Sequence, residues 1–241
     1  MKLAIIGGTN IATLPIPYTE EAVSTPYGDA VVYHGTIDGT HEVLFLSRHG
    51  VLKDCDAAHV NYRKNIYALK SVGATHVIGL TAVSSCDYNA HAGDICLFSD
   101  FIDFTKSRPS SFNIEHRLTR HTSMDEVFDN GMNDAIEKVI LEKNLPYAGR
   151  AVAACTEGPR FETAAEVRML RALGAQVICK TVAPEAPLAR EIGLKYSALA
   201  LITSRATGMA DEVSDKRIVS VMESRRNDVF ETLFETIRRI H

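Results

Sequence analysis

Cysteine is sparse in this chain, and its spacing excludes the sites that cysteine usually builds. The five cysteines are odd in number, and neither a CxxC pair nor a zinc-finger spacing of cysteine and histidine occurs. They are Cys55, Cys86, Cys96, Cys155 and Cys179. We therefore expect reduced thiols in a reducing compartment, with neither a disulfide framework nor a bound metal.

Long apolar runs are also lacking. No stretch approaches the roughly 18 apolar residues that a membrane-spanning helix needs. The apolar residues 3–6 end at a Gly-Gly turn and are too few for a signal peptide, so we interpret them as a first strand. These observations predict a cytoplasmic protein with no membrane partner.

The chain has no excess of positive charge. It carries 26 lysines and arginines against 30 aspartates and glutamates, a formal net charge of −4. Because nucleic-acid polymers are bound through many basic side chains, we expect no such partner, and a small anionic ligand would need a few local cations. Hydrophobic residues make up 46% of the chain, which suits one domain, residues 1–241, with a sizeable core.

Apolar runs of strand length alternate with helical patterns along the chain. The predicted strands are residues 3–6, 43–46, 77–83, 95–98, 151–155, 177–179 and 197–202. The predicted helices are residues 60–72, 127–141, 164–173, 184–192 and 216–240. This alternation predicts an α/β domain with a largely parallel sheet. The polar residues 106–122 show no period and are predicted to form a long loop, which is typical of a functional segment or an interface.

Two segments near the N-terminus could bind an anion. Thr9 follows two glycines at the end of the first strand, where the backbone can approach a ligand closely and a hydroxyl can donate to it. Arg48 and His49 follow the second predicted strand, and a guanidinium offers a fork of donors that matches phosphate. Taken alone, the first segment could be a simple turn and the second a surface ion pair.

Two later segments join a strand to a helix through residues that could contact a ligand. Phe161 could stack on a flat ring, and Glu162 could accept hydrogen bonds from the edge of that ring. The alternative places Phe161 in the core and has Glu162 favour a helix N-terminus. Lys180 and Thr181 end another strand, a position typical of anion or sugar sites, although Lys180 could equally be a solvated residue.

Taken together, these segments resemble the purine nucleoside phosphorylase / methylthioadenosine phosphorylase family of the trimeric type, from residue 3 to at least residue 213. The matching stretches are Gly7-Gly8-Thr9, Arg48-His49-Gly50, residues 60–66 and 68–70, Thr81-Ala82, residues 157–163, Pro184-Glu185 and residues 188–191. The resemblance implies a twisted mixed sheet, partly closed into a barrel and flanked by helices. It also implies a homotrimer with active sites near the subunit interfaces, and inorganic phosphate as co-substrate without a cofactor or metal.

The resemblance also implies roles for individual residues. Thr9, Arg48, His49, Thr81, Ala82 and Thr181 take phosphate-site positions, and Phe161 and Glu162 take purine-site positions. Lys180 lies under the ribose, and Ser204 faces the imidazole side of the base. His121 corresponds to a residue that the neighbouring subunit contributes to the part of the pocket that binds the 5′ side of the nucleoside. Val213 corresponds to an apolar residue that packs on a 5′-methylthio group in the same part of the pocket. Arg48, His49 and Ser204 are the residues assigned to catalysis.

The implied reaction explains why these groups are needed. Breaking the bond between C1′ and N9 builds positive charge on the ribose and negative charge on the purine. Phosphate held beneath C1′ is both the nucleophile and a counter-charge, and fixing it converts a bimolecular attack into an oriented one.

Four features depart from the family pattern. Asn10 stands where a third glycine is usual, and Ser84 replaces another glycine. Lys180 replaces a methionine, and a buried lysine is costly unless an anion pairs with it. Ser204 and Ala206 stand where the adenine-type enzymes carry aspartates, and the 6-oxopurine enzymes carry asparagine at the first of these positions.

The choice of purine follows from hydrogen-bond complementarity. An ionised Glu162 can only accept, so it pairs with the N1–H of a 6-oxopurine and repels the bare N1 acceptor of adenine. We therefore expect cleavage of 5′-methylthioinosine ahead of inosine or guanosine, giving the free purine and a (methylthio)ribose 1-phosphate. A methylthioadenosine phosphorylase and a catalytically weakened nucleoside-binding homologue are the alternatives.

Overall fold

The strands form one mixed sheet in the part of the chain that the computed structural model describes, which is residues 1–8, 11–50, 55–112, 121–209 and 213–240. They are β1 (Leu3–Gly7), β2 (Tyr18–Thr25), β3 (Gly28–Ile37), β4 (His41–Ser47), β5 (His76–Ser85), β6 (Ile95–Phe104), β7 (Tyr147–Thr156), β8 (Val177–Cys179) and β9 (Lys195–Arg205). The strand order is β2-β3-β4-β1-β5-β8-β7-β6-β9, and β5 also pairs with β9. This extra pairing closes β5, β8, β7, β6 and β9 into a barrel.

The barrel closes because β5 is long enough to pair with three neighbouring strands. Its first half pairs in parallel with β1, and its last two residues, Ser84 and Ser85, pair antiparallel with β8. Its other edge pairs in parallel with β9 along the whole strand, with a register shift between Val83 and Ser84. The predicted α/β architecture, a mixed sheet partly closed into a barrel, is therefore confirmed.

Helices flank the sheet in the described residues. They are α1 (Tyr62–Ser71), α2 (Asn130–Glu142), α3 (Ala164–Ala172), α4 (Val182–Glu191), α5 (Asp215–Ser224) and α6 (Arg226–Ile240). The start of α3 is fixed by a capping box, in which the Thr163 side chain accepts from the N–H of Glu166 and the Glu166 carboxylate accepts from the N–H of Thr163. No helix in the described ranges is both long and apolar enough to span a membrane.

Strand β1 shows why helices cover both faces of the sheet. Successive side chains of a strand point to opposite faces. Leu3 and Ile5 pack in a cluster with α2 and α6, whereas Ala4 and Ile6 pack in a second cluster with α1 and α4. All four are fully buried, and burying a leucine or isoleucine side chain contributes about 1.5–3 kcal/mol. An unbroken apolar run is the sequence pattern of such a doubly covered strand.

Two elements differ from the sequence-based expectation. Strands β2 and β3 form an antiparallel ribbon that was not predicted, because residues 18–22 of β2 are exposed and carry no apolar pattern. The single closing helix predicted over residues 216–240 is two helices that meet at Arg225. Arg225 bonds the carbonyl of Gly93 at 3.2 Å and pairs with Asp228 at 2.6 Å, which holds the chain at this junction.

The predicted loop over residues 106–122 is confirmed where the structure describes it. Residues 106–112 and 121–122 form neither helix nor strand, and residues 113–120 lie outside the described ranges.

Candidate active site

A cavity of about 360 Å³ opens at the end of β5, beside β8 and the first turn of α5. Small-molecule sites usually measure about 300–1,000 Å³, so the cavity suits a compact ligand. The predicted site residues that line it are His49, Thr81, Ala82, Phe161, Glu162, Lys180 and Thr181. The wall also includes residues that the sequence analysis did not assign to the site, among them Asp56, Ala57, Thr203, Asp215, Ile218 and Val219.

Arg48 lies behind this wall rather than on it. Its guanidinium is bidentate with Glu185, at 2.5 Å from Nε to Oε1 and 2.9 Å from Nη2 to Oε2, and both side chains are almost fully buried. Burial lowers the pKa of Arg48, but the charge and hydrogen bonds of Glu185 raise it above its ordinary value. Tyr196 donates to the same carboxylate at 2.6 Å. The pair is therefore a permanent charge cluster, with Arg48 protonated.

Gly8 brings the backbone of the first turn directly against this cluster. Arg48 Nη1 donates to the carbonyl of Leu80 at 2.7 Å, and a Cβ built on Gly8 would lie 2.6 Å from the same nitrogen. No side chain fits at this position, which explains the glycine physically. Thr9, the next residue and a predicted phosphate ligand, lies outside the described ranges, as does Asn10.

His49 presents a neutral imidazole to the cavity. Its Nδ1 lies 3.0 Å from the carbonyl of Cys55, so the hydrogen bond assigns the ring proton to Nδ1 and leaves Nε2 as an acceptor. Burial, followed by the charge of Arg48, lowers the pKa of His49 below its ordinary value of 6.5.

Two hydroxyls meet on the adjacent wall. Thr81 Oγ1 and Thr181 Oγ1 lie 3.5 Å apart, and both residues are nearly buried. Thr181 is the N-cap of α4, yet its side chain makes no capping hydrogen bond, so this hydroxyl is available to a ligand. The positive end of the α4 dipole lies at the same place, which favours an anion.

The N–H groups at the start of α4 already donate hydrogen bonds to the sulfur of Cys179. The pKa of Cys179 is lowered, first by a hydrogen bond from the Cys155 thiol and then by the N–H groups of Val182 and Thr181, although burial opposes this. Burial raises the pKa of Cys155 itself. An anion at this end of α4 would therefore be held mainly by the hydroxyls of Thr81 and Thr181.

A separate polar cluster also lies at this cavity. Lys180 Nζ donates to Glu162 Oε1 at 2.7 Å and to Thr156 Oγ1 at 3.2 Å, and Thr156 Oγ1 donates to the same Glu162 oxygen at 2.5 Å. The ammonium also lies 5.8 Å from the centroid of the Phe161 ring. A carboxylate, an ammonium and an aromatic face are thus brought together by residues from two strand ends.

Ser204 does not reach the cavity. It is fully buried, and its hydroxyl lies 3.2 Å from that of Ser84, which does line the cavity. The neighbouring Thr203 lines the wall instead and bonds the carbonyl of Val83 at 3.1 Å. The register shift in β5 at Ser84 accompanies this arrangement.

The two residues predicted at the 5′ end also lie outside the cavity wall in this chain. His121 is exposed, and Val213 is half-buried just before Ser214, the N-cap of α5. From the same segment, α5 supplies Ile218 and Val219, together with the exposed Asp215.

Arg108 is a residue that sequence reasoning missed. It is buried, and it bonds the carbonyls of Thr156, Glu157 and Lys180 and the hydroxyl of Tyr62. It therefore ties the ends of β7 and β8, which carry the carboxylate cluster, to the long loop. No local pattern marks it, because its partners lie 46 to 72 residues away in the chain.

A larger open groove of about 790 Å³ lies along β3 and β4, and it contains no predicted site residue. In the described ranges, no three histidine, cysteine, aspartate or glutamate side chains are grouped as metal ligands.

Comparison with known proteins identifies relatives over nearly the whole chain. The sequence pattern of the Phosphorylase superfamily matches residues 2–238. The 6-oxopurine nucleoside phosphorylase of Pyrococcus furiosus is 35% identical, over 98% of this chain and 92% of its own length. The probable S-methyl-5′-thioinosine phosphorylase of Methanocaldococcus jannaschii is 36% identical, over 89% of this chain and 85% of its own length.

A solved structure shows the same fold. The methylthioadenosine phosphorylase from Schistosoma mansoni, determined in complex with adenine, superposes with a TM-score of 0.92. The two sequences are 26% identical, and the match covers 99% of this chain and 91% of the other.

Proposed function

The chain belongs to the phosphorylase superfamily, and from this premise we propose that it cleaves 6-oxopurine nucleosides with phosphate, most readily 5′-methylthioinosine. The products are the free purine and a ribose 1-phosphate that keeps the 5′ substituent. The observation that carries the proposal is that two chemically distinct groups of side chains line one cavity, and we call them its two ends. Hydroxyls and an imidazole form the phosphate end, and the aromatic ring and carboxylate form the purine end.

The phosphate end suits an oxyanion that must attack from a fixed position. Thr81 and Thr181 offer hydroxyl donors, and the neutral His49 offers an acceptor for a phosphate proton. The buried Arg48 lies behind Gly8 with its charge balanced by Glu185, so it supports the first turn instead of offering a free cation. Donors and charges fixed before the reaction stabilise the transition state most effectively.

The purine end discriminates by hydrogen bonding. Glu162 Oε1 is occupied by Thr156 and Lys180, which leaves Oε2 to contact a base. A carboxylate oxygen accepts the N1–H of hypoxanthine or guanine and offers nothing to the N1 of adenine. Phe161, half-buried in the same wall, supplies a face for stacking.

The part of the cavity beside α5 is proposed to bind the 5′-methylthio group of the nucleoside. Ile218 and Val219 of α5 provide an apolar wall for it, and Val213 precedes them in the chain. Asp215 lies on the same face of the helix and favours a 5′-hydroxyl instead, so inosine is the second candidate substrate. Apolar pockets discriminate such groups by only about 1–3 kcal/mol.

The proposal includes a cytoplasmic homotrimer that needs no cofactor or metal. His121 is exposed, which fits a residue donated to a neighbouring subunit. Light scattering at assay concentration tests this part, and a fully active monomer would contradict it.

A panel of nucleosides with and without phosphate tests the function. We expect phosphate-dependent turnover of 5′-methylthioinosine and inosine, with 5′-methylthioadenosine poorer by at least about tenfold, since an unpaired buried acceptor costs about 1–3 kcal/mol. Preference for 5′-methylthioadenosine would instead support the activity named for the Schistosoma mansoni relative. Thermal stabilisation by nucleoside without any turnover would identify a binding homologue.

A further inference from the structure

We propose that the Ser84 hydroxyl donates a hydrogen bond to N7 of the bound purine, and that Ser204 holds this hydroxyl in position. The inference rests on the proposed function and adds a substrate contact to the same cavity. Ser84 touches the leaving base and is therefore a catalytic residue, whereas Ser204 acts through Ser84 and is a positioning residue.

A one-residue shift in register between β5 and β9 brings the two serines together. Val83 of β5 pairs with Ile202 of β9, but the next residue of β5 pairs with Ser204. Thr203 is the extra residue, and its side chain bonds the carbonyl of Val83 at 3.1 Å. Without this extra residue, Ser84 would lie opposite Thr203. Such shifts re-aim side chains and are over-represented next to active sites.

The hydrogen bond between the serines leaves a donor for the cavity. Ser204 is fully buried, and its Oγ lies 3.2 Å from Ser84 Oγ. Because a buried donor without an acceptor costs about 1–3 kcal/mol, we assign the Ser204 proton to this contact. Ser84 is half-buried and lines the cavity, so it accepts from Ser204 and keeps its own proton for a ligand.

Strand pairing places Ser84 towards the purine end of the cavity. Ser84 pairs with Ile178 of β8, which also lines the cavity. Two residues further along the chain, Lys180 bonds Glu162. Thr81, at the phosphate end, lies three residues before Ser84 on β5, which is roughly 10 Å along a strand. The Ser84 hydroxyl is therefore better placed for the base than for phosphate.

The imidazole ring of the purine offers one acceptor to this donor. In a nucleoside, N7 carries a lone pair and no hydrogen, and the proposed function already assigns the N1 edge to Glu162. As the bond between C1′ and N9 breaks, its electron pair passes into the purine, and a hydrogen bond to N7 becomes stronger. The Ser84 hydroxyl keeps its proton, so this step needs no further reactant.

The test is a binding cycle that combines Ser84→Ala with 7-deazainosine, in which a C–H group replaces N7. Calorimetry without phosphate measures affinity in the absence of phosphorolysis. The wild-type protein should bind inosine about 3- to 10-fold more tightly than 7-deazainosine, and Ser84→Ala should bind both about equally. Ser84→Gly lacks the same hydroxyl and replaces the alanine variant if that variant does not fold. A purely structural role would weaken both ligands together and leave their ratio unchanged.

Ser85→Ala is the matched control. Ser85 is the next residue of β5, and its hydroxyl donates to the carbonyl of Asp87 at 3.0 Å and accepts from the N–H of Asp87 at 2.9 Å. This variant should keep the wild-type ratio of affinities. Ser204→Ala should lower the ratio by part of the Ser84→Ala effect, because the Ser84 hydroxyl loses the partner that orients it. Equal weakening of both ligands by Ser204→Ala would contradict its positioning role.

Turnover provides a readout that is separate from the choice of purine. Ser84→Ala should lower kcat/KM by about 10- to 100-fold for 5′-methylthioinosine and 5′-methylthioadenosine alike, because both bases present the same bare N7. A change in the ratio between these two nucleosides would place Ser84 at the N1 edge and overturn the inference.

The possible failures are distinct. If the wild-type protein cleaves the nucleosides but Ser84→Ala keeps the preference for inosine over 7-deazainosine, this inference is wrong and the proposed function stands. Equal binding of these two ligands by the wild-type protein would also overturn it. If the wild-type protein cleaves no purine nucleoside with phosphate, the proposed function itself is wrong.

Discussion

One ion pair lies behind the phosphate end of the cavity and another lies on the wall of the purine end, and the two pairs are held in different ways. At the phosphate end, Arg48 and Glu185 are almost completely removed from solvent and are joined by Tyr196. At the purine end, the side chain of Lys180 is 23% exposed and touches Glu162 through a single nitrogen. Buried bidentate pairs belong to the folded framework, whereas a partly exposed single contact can change at small cost. The phosphate end should therefore tolerate few substitutions, and the purine end should be able to change its substrate.

The largest difference between the two ends should be in stability. Arg48→Met leaves the Glu185 carboxylate buried without a counter-charge, which should lower the free energy of unfolding by about 3–5 kcal/mol. Lys180→Met should lower it by about 1 kcal/mol or less, because the lysine is partly solvated. Urea denaturation of the three proteins measures both values.

A double variant separates charge from packing in this experiment. Arg48→Met combined with Glu185→Leu replaces the pair with apolar groups, and it should recover most of the lost stability while phosphate kinetics remain impaired. Equal destabilisation by Arg48→Met and Lys180→Met would show that the two pairs do not differ as we infer.

Hydroxyl groups should reveal the next largest difference, since a threonine at each end can be replaced by valine, which has nearly the same shape. Thr181→Val should raise the KM for phosphate by about tenfold, the usual value of a hydrogen bond to an anion, and leave the nucleoside KM unchanged. Little stability should be lost, because the Thr181 side chain does not cap α4. Steady-state kinetics with each substrate varied in turn provides the measurement.

Thr156→Val is the counterpart at the purine end. It removes the hydroxyl between Lys180 and Glu162, and it should raise the nucleoside KM with no change for phosphate. If both valine variants altered the same KM, the assignment of the two ends would be incorrect.

The smallest expected effect is the pH dependence that His49 adds to the phosphate end. Burial and the charge of Arg48 lower the pKa of His49 in the folded state, so between that pKa and 6.5 the unfolded chain binds more protons. The stability from a neutral His49 is therefore complete above about pH 6.5 and is lost as the pH falls. Urea denaturation at about pH 7.5 and about pH 5.5 should show this loss, and His49→Gln should reduce it.

His76 provides the control for that measurement. Burial lowers its pKa as well, but it lies at the start of β5, away from the cavity. His76→Gln should reduce the pH dependence of stability without affecting phosphate binding. An identical pH dependence in wild type and His49→Gln would exclude a neutral, buried His49.

The sequence predicted the parts of the fold whose pattern is local. The fully apolar β1, the helices α1 to α4 and the strand-to-helix turns before α3 and α4 were recognisable because burial on two faces and helical spacing depend on near neighbours. The ribbon of β2 and β3 was missed, since an exposed edge strand carries no such pattern. The break at Arg225 was missed because it depends on Gly93, 132 residues away.

For the site, the sequence by itself determined which segments would follow strands, and so which side chains could meet at one cavity. Phe161, Glu162 and Thr181 line it for that reason. The tertiary structure alone decided the partners. Arg48 turns to Glu185, 137 residues away, and Ser204 bonds Ser84 instead of facing a ligand. Local pattern cannot specify such contacts, because the distance between two strand ends is set by sheet order and register, which bring together residues that no sequence spacing relates.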